Sequence, residues 1–197
     1  MLLADSASPE RVTACVRHSL DRKVCNTANV ICLPRSPVLL AAVLRGITEA
    51  SASRSTRAII HCASSADELE IIRNLKQSDV FELHVHQGDD HLAEEWEWDQ
   101  RPEVSIRFTE TLEESCGLFN TYSPRFVVGV ISEKERDFED VYRLCEAPFV
   151  GDGFTRWVDG QYALARPELG LSNWQHGRLF ARGGILSGDG VFSVRYV

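Results

Sequence analysis

Short apolar runs alternate along this chain with longer stretches in which apolar positions recur every three or four residues. The short runs, at 30–33, 58–62, 80–86, 104–108 and 126–131, have the length and composition of β-strands. The periodic stretches predict helices over 10–20, 38–50, 66–77, 112–122 and 134–145. Two helix starts carry the same signal, Ser8-Pro9 and Ser36-Pro37, an N-cap hydroxyl followed by a proline at the first helical position. Ser132 and Glu135 have the spacing of a capping box ahead of the last helix. A βαβα rhythm of this kind predicts an α/β sandwich around a mostly parallel sheet. From Gly151 to Gly190 the pattern changes: glycines crowd, strand signals shorten, and the segment 151–197 reads as loops laid over the scaffold of a single domain spanning 1–197.

Composition narrows the partners. At 197 residues with 44% hydrophobic and 25% charged positions, the chain has material for a real core. A formal net charge of -8 argues against a nucleic-acid surface, which needs Lys and Arg gathered to neutralise phosphates. No stretch approaches the roughly 18 apolar residues of a membrane span, and the start, Met1-Leu2-Leu3-Ala4-Asp5, lacks a basic region followed by a long apolar one. The expected location is therefore the cytoplasm, with neither membrane nor nucleic acid as partner. Six scattered cysteines with no CxxC pair indicate neither a zinc ribbon nor a disulfide scaffold.

Three segments carry candidate chemistry. Cys25 ends the polar turn Asp21-Arg22-Lys23-Val24, and two preceding cations favour a thiolate, which makes it the candidate nucleophile. The bland alternative is a packed thiol ahead of a strand. His84 and His86, two apart on a strand, project to one face about 6.6 Å apart, so a metal held with Asp89 or His91 is an alternative to no metal site. The run Glu94-Glu95-Trp96-Glu97-Trp98-Asp99 either packs its two indoles on the domain or exposes them to a partner.

These residues stand in an order that resembles gamma-glutamyl phosphate reductase (glutamate-5-semialdehyde dehydrogenase), in the aldehyde dehydrogenase superfamily. The helix before Arg22-Lys23-Val24-Cys25-Asn26-Thr27 and the strand after it are similar to that family's catalytic segment, RPxVCNAxETLLVH. Glu94-Glu95-Trp96, the strand at 104–106 and the helix from Leu112 to Tyr122 follow in family order. Thr155-Arg156-Trp157 with Asp159-Gly160 resembles STRFxDG, Glu168-Leu169-Gly170-Leu171-Ser172 resembles EIGIS, and Leu179-Phe180-Ala181-Arg182-Gly183 resembles LHARG. The departures are Asn29 where the family has Glu, Phe180 where it has His, and weak counterparts of its glycine-rich strand and closing motif.

The resemblance implies a three-layer aldehyde dehydrogenase-like catalytic domain without the nucleotide-binding half. It implies Cys25 as a thioester-forming nucleophile on a small acyl donor such as an acyl phosphate, Asn26 steadying its loop, and Arg156 and Arg182 gripping an anionic group. No GxGxxG or P-loop follows any strand, so no cofactor is expected on this chain alone. NADP is implied only if a separate cofactor domain supplies its site. A homo-oligomer is also implied. Two other readings stand beside the dehydrogenase: a cofactor-free cysteine acyltransferase or hydrolase, and a non-catalytic descendant acting in binding or assembly.

Overall fold

The computed structural model describes residues 1–24, 27–63, 79–147 and 149–153, and the backbone of short strands between 168 and 187. Seven strands form one sheet: β1 (Leu2–Leu3), β2 (Val30–Pro34), β3 (Ala58–Ala63), β4 (Phe81–His86), β5 (Glu103–Thr109), β6 (Val127–Ile131) and β7 (Phe149–Gly151). Their spatial order is β4-β3-β5-β2-β1-β6-β7, and every pairing is parallel. The helices are α1 (Pro9–Ser19), α2 (Pro37–Ala52), α3 (Leu112–Tyr122) and α4 (Glu135–Leu144). Beyond them β8 (Glu168–Leu169) pairs antiparallel with β11 (Leu186–Ser187), and β9 (Ser172–Gln175) with β10 (Arg178–Arg182).

The pleat divides the apolar side chains between two layers. Leu3, Ile31, Leu33, Ile60, Val104 and Ile106 pack under α1 and α2, whose Val12, Val16, Leu39, Val43 and Ile47 complete one buried cluster. Their strand neighbours Leu2, Cys32, Val128 and Val130 face the other way, toward Cys116 of α3, Val141 of α4 and Cys145 just after it. α1 and α2 cross tightly at Gly46, where a Cβ would stand 2.8 Å from the Thr13 carbonyl oxygen and 2.8 Å from Val16 Cβ.

The sequence signals at the first two helices hold. Ser8 Oγ accepts from Arg11 N at 3.3 Å and Ser36 Oγ from Leu39 N at 3.3 Å, each ahead of a first-turn proline. The capping box at Ser132 does not form. α4 begins at Glu135 with Lys134 as its N-cap, and the Ser132 hydroxyl accepts from Lys134 N at 2.9 Å while donating to Asp137 Oδ2 at 2.5 Å. β1 and β7 had no counterpart in the sequence pattern, because two or three residues carry no measurable period. The helix expected over 66–77 lies outside the described residues.

α3 and α4 cover only part of the second face. Over β3 and β4, among the described residues, the connection 87–98, hereafter the strap, lies on the sheet with Trp96 on His61 and His91 on His86, and it contains one 3-10 turn at Asp90–Ala93.

Candidate active site

The expected nucleophile Cys25 and its neighbour Asn26 lie outside the described residues, as does Arg156; Arg182 is placed only as backbone in β10. What is described is the frame around the first two. α1 closes at Leu20, and Thr27 then ties the turn: its Oγ1 accepts from Val24 N at 2.9 Å and donates to Arg22 O at 3.0 Å, while Thr27 N donates to Val24 O at 3.0 Å. Ala28 N donates to Ser19 Oγ at 2.8 Å, fixing the turn to the end of α1.

Asn29 carries this frame to the strap. Its Nδ2 donates to the Glu94 carbonyl at 2.6 Å and its Oδ1 accepts from Trp96 N at 2.9 Å. A carboxylate offers acceptors only, so Glu at this position would meet the Glu94 carbonyl with oxygen against oxygen. Lys23, with its side chain 12% exposed, pairs with Glu95 at 3.4 Å on the same strap.

Farther along, the strap closes over imidazoles. Register pairs His61 of β3 with His84 of β4, and Ala63 with His86. His61 Nε2 lies 2.7 Å from Glu103 Oε1, and its Nδ1 lies 2.8 Å from His86 Nε2. Trp96 stacks on His61 with ring centroids 3.7 Å apart and planes 5° apart, and its Nε1 donates to Ser105 Oγ at 2.9 Å. His91 stacks on His86 at 4.5 Å, and Arg107 holds the near end of the strap through Asp89 at 2.7 Å. Burial pushes His61 below its ordinary pKa, with Glu103 pulling the other way. Burial also lowers His91, reinforced by His86.

The acidic tryptophan run is therefore a packed segment at Trp96, and Trp98 packs partly buried against the α1/α2 layer. His84, His86 and His91 do not converge as ligands. His84 Nε2 bonds Glu82 Oε1 at 2.9 Å, His86 bonds His61, and among the described residues no group of three His, Cys, Asp or Glu is placed to hold a metal ion. Sequence reasoning missed His61, Glu103 and Ser105. The available signal was parity: Ile60 and Cys62 alternate with His61, which a uniformly apolar strand does not require. No described helix is long and apolar enough to cross a membrane.

At the opposite end of β2, the carboxyl edge of the sheet holds a cavity of about 80 Å³ lined by Leu3, Asp5, Pro34, Thr109, Glu110 and Asp137 among others. Dinucleotides bind open α/β sheets at that edge, on glycine-rich turns. A small cavity bordered by three carboxylates does not fit a pyrophosphate.

The fold is that of the aldehyde dehydrogenase-like α/β proteins. Among solved structures, gamma-glutamyl phosphate reductase from Thermotoga maritima is similar with a TM-score of 0.63 and 16% identity, over 93% of this chain and 40% of that one. An acetylating aldehyde dehydrogenase from Geobacillus thermoglucosidasius gives 0.58 and 13% over 100% of this chain and 50% of that one. An engineered glycolyl-CoA reductase gives 0.54 and 10% over 82% and 42%. The chain thus spans half or less of the length of each. No protein-family model and no curated protein matches it.

Proposed function

We propose that this chain is the catalytic half of an aldehyde dehydrogenase-like enzyme of the gamma-glutamyl phosphate reductase type, with Cys25 as its nucleophile. The observation that carries the reading is the coincidence of the Val24-Cys25-Asn26 motif with a tied turn between α1 and β2, in a fold that matches such a reductase over 93% of this chain. The Cys25 thiolate attacks the acyl carbon of a small acyl phosphate; the carbon–oxygen bond to phosphate breaks, inorganic phosphate leaves with the electron pair, and a thioester remains. Asn26 steadies the loop, and Arg156 and Arg182 hold the anionic groups by paired hydrogen bonds. Hydride chemistry belongs to NADP in a cofactor domain supplied by a partner or by another part of the same protein. The site is cytoplasmic in this reading, and a second copy of the chain is a further partner.

A non-catalytic descendant is the second reading. It is favoured by Asn29 in place of the family's Glu and by the pairing of Lys23, one of the two cations that precede Cys25 in sequence, with Glu95.

Alkylation by iodoacetamide, followed by mass spectrometry as a function of pH and compared with Cys25→Ser, separates the two. Under the enzyme reading, Cys25 reacts selectively with an apparent pKa well below about 8.5. Reaction no faster than that of the other five thiols overturns it.

A further inference from the structure

We propose that His61, His86 and His91 form a proton-operated latch that holds the strap 87–98 on the sheet at neutral pH and releases it on acidification. The latch does not depend on what Cys25 does.

The hydrogen-bond geometry fixes which nitrogens carry protons in the closed state. The Glu103 carboxylate only accepts, so His61 Nε2, 2.7 Å away, is the N–H. In the neutral ring Nδ1 is then bare, and it accepts from His86 Nε2 at 2.8 Å. The Gly88 carbonyl likewise only accepts, so His91 Nδ1 donates to it at 3.1 Å, leaving Nε2 bare, buried and without a partner among the described residues. Three neutral rings satisfy this pattern; two added protons on the His61–His86 pair, or one on His91 Nε2, do not. A single proton added at His61 Nδ1 is accommodated when His86 takes its Nδ1–H tautomer, and a second sets N–H against N–H across the 2.8 Å contact. A proton on His91 Nε2 is a buried cation donor with no acceptor, which costs the full desolvation of that group.

Neighbouring charges offset burial only in part: Glu103 favours a proton on His61, and burial outweighs it. Around the cluster stand Glu103 and Arg107 on β5, Glu82, His84 and His86 on β4, Asp89 and His91 on the strap, and Glu114 of α3, 4.0 Å from Arg107. Glu103 is half of the closed pattern already, Asp89 is occupied by Arg107 at 2.7 Å, and Glu82 by Arg101 at 2.5 Å and His84 at 2.9 Å. His86 and His91 stack with planes 7° apart at 4.5 Å, and the His61 and His84 centroids are 5.0 Å apart, so two imidazolium ions in this group repel.

The sign follows from linkage. Histidines held below the ordinary value of about 6.5 stabilise the closed form fully above that pH, and the contribution is lost as pH falls from there toward their folded values. The strap bears the loss because Trp96 rests directly on His61 and His91 on His86, whereas α1 and α2 are held by the large apolar cluster. Release also undoes the Asn29 bonds to Glu94 and Trp96.

Hydrogen exchange of the full chain, read by mass spectrometry at pH 7.5 and 5.5 and corrected for intrinsic rates, tests the latch. Peptides covering 87–98 are expected to exchange at least tenfold faster at pH 5.5 while those of α1 and α2 stay within twofold. The double variant His61→Phe, His91→Phe, which keeps both stacked aromatic surfaces without those titrating rings, is expected to keep the strap protected at pH 5.5. Equal strap protection at both pH values, or loss of protection in α1 and α2 at the same time, overturns the proposal. If that variant does not fold, the wild-type imidazole NMR titration decides: His61 and His91 becoming protonated together with strap opening supports the latch, and both becoming protonated while the strap stays protected overturns it.

Discussion

Asparagine and glutamate differ by a methylene and a donor, and at position 29 the donor matters more. Asn29 uses both ends of its amide to hold the strap backbone, at Glu94 and Trp96. At about 1 kcal/mol net per hydrogen bond, Asn29→Ala is expected to cost about 2 kcal/mol, read as a lowered urea midpoint with an unchanged slope. Asn29→Asp keeps the acceptor for Trp96 N and places an oxygen against the Glu94 carbonyl, so it is expected to be at least as damaging. The sequence made Asn29 visible only as a departure from a pattern. What it bonds to sits 65 and 67 residues away, a separation that no local signal encodes. His61 was hidden for another reason: it lies within an apolar run, and its partners Glu103 and His86 come from two other strands.

At the scale of elements, legibility followed length. The five-residue β2 and the helices α1 to α3 were readable because their periods repeat, and Ser8-Pro9 and Ser36-Pro37 fixed two starts. At α4 the Ser132 signal was real but placed differently, since the hydroxyl serves the turn before the helix and reaches Asp137 rather than pairing with Glu135. Ser36→Ala is expected to cost about 1 kcal/mol through the lost cap, seen as a fall in Tm. Gly46→Ala tests the crossing of α1 and α2. In an ordinary helix, alanine for glycine is stabilising by up to about 1 kcal/mol; here the new methyl meets the Thr13 carbonyl and Val16 at 2.8 Å each, and the helices must part. The expected net result is destabilisation by about 1–3 kcal/mol, measured by thermal unfolding.

Across the whole molecule, the α/β class and parallel sheet were legible because alternating elements admit few other arrangements, whereas the strand order was not, because β5 inserts between β3 and β2 without a sequence mark. The sheet separates two apolar layers, and substitutions on either side are expected to act independently. Ile60→Ala under the α1/α2 layer is expected to cost about 2–5 kcal/mol and Val141→Ala in the α3/α4 layer about 1–3 kcal/mol. Their sum should match the double variant within about 0.5 kcal/mol in denaturant melts. The uniform direction of the strands has an electrostatic consequence. In a parallel sheet the connecting helices all run back against it, so their carbonyl ends gather at the amino edge, where α1 closes at Leu20 and the turn from Arg22 to Thr27 begins. The macrodipole of α1 therefore presents about half a negative charge toward the turn that bears the thiol in sequence. Thiolate formation there works against the scaffold's own field, with Arg22 as the local counterweight while Lys23 is paired with Glu95.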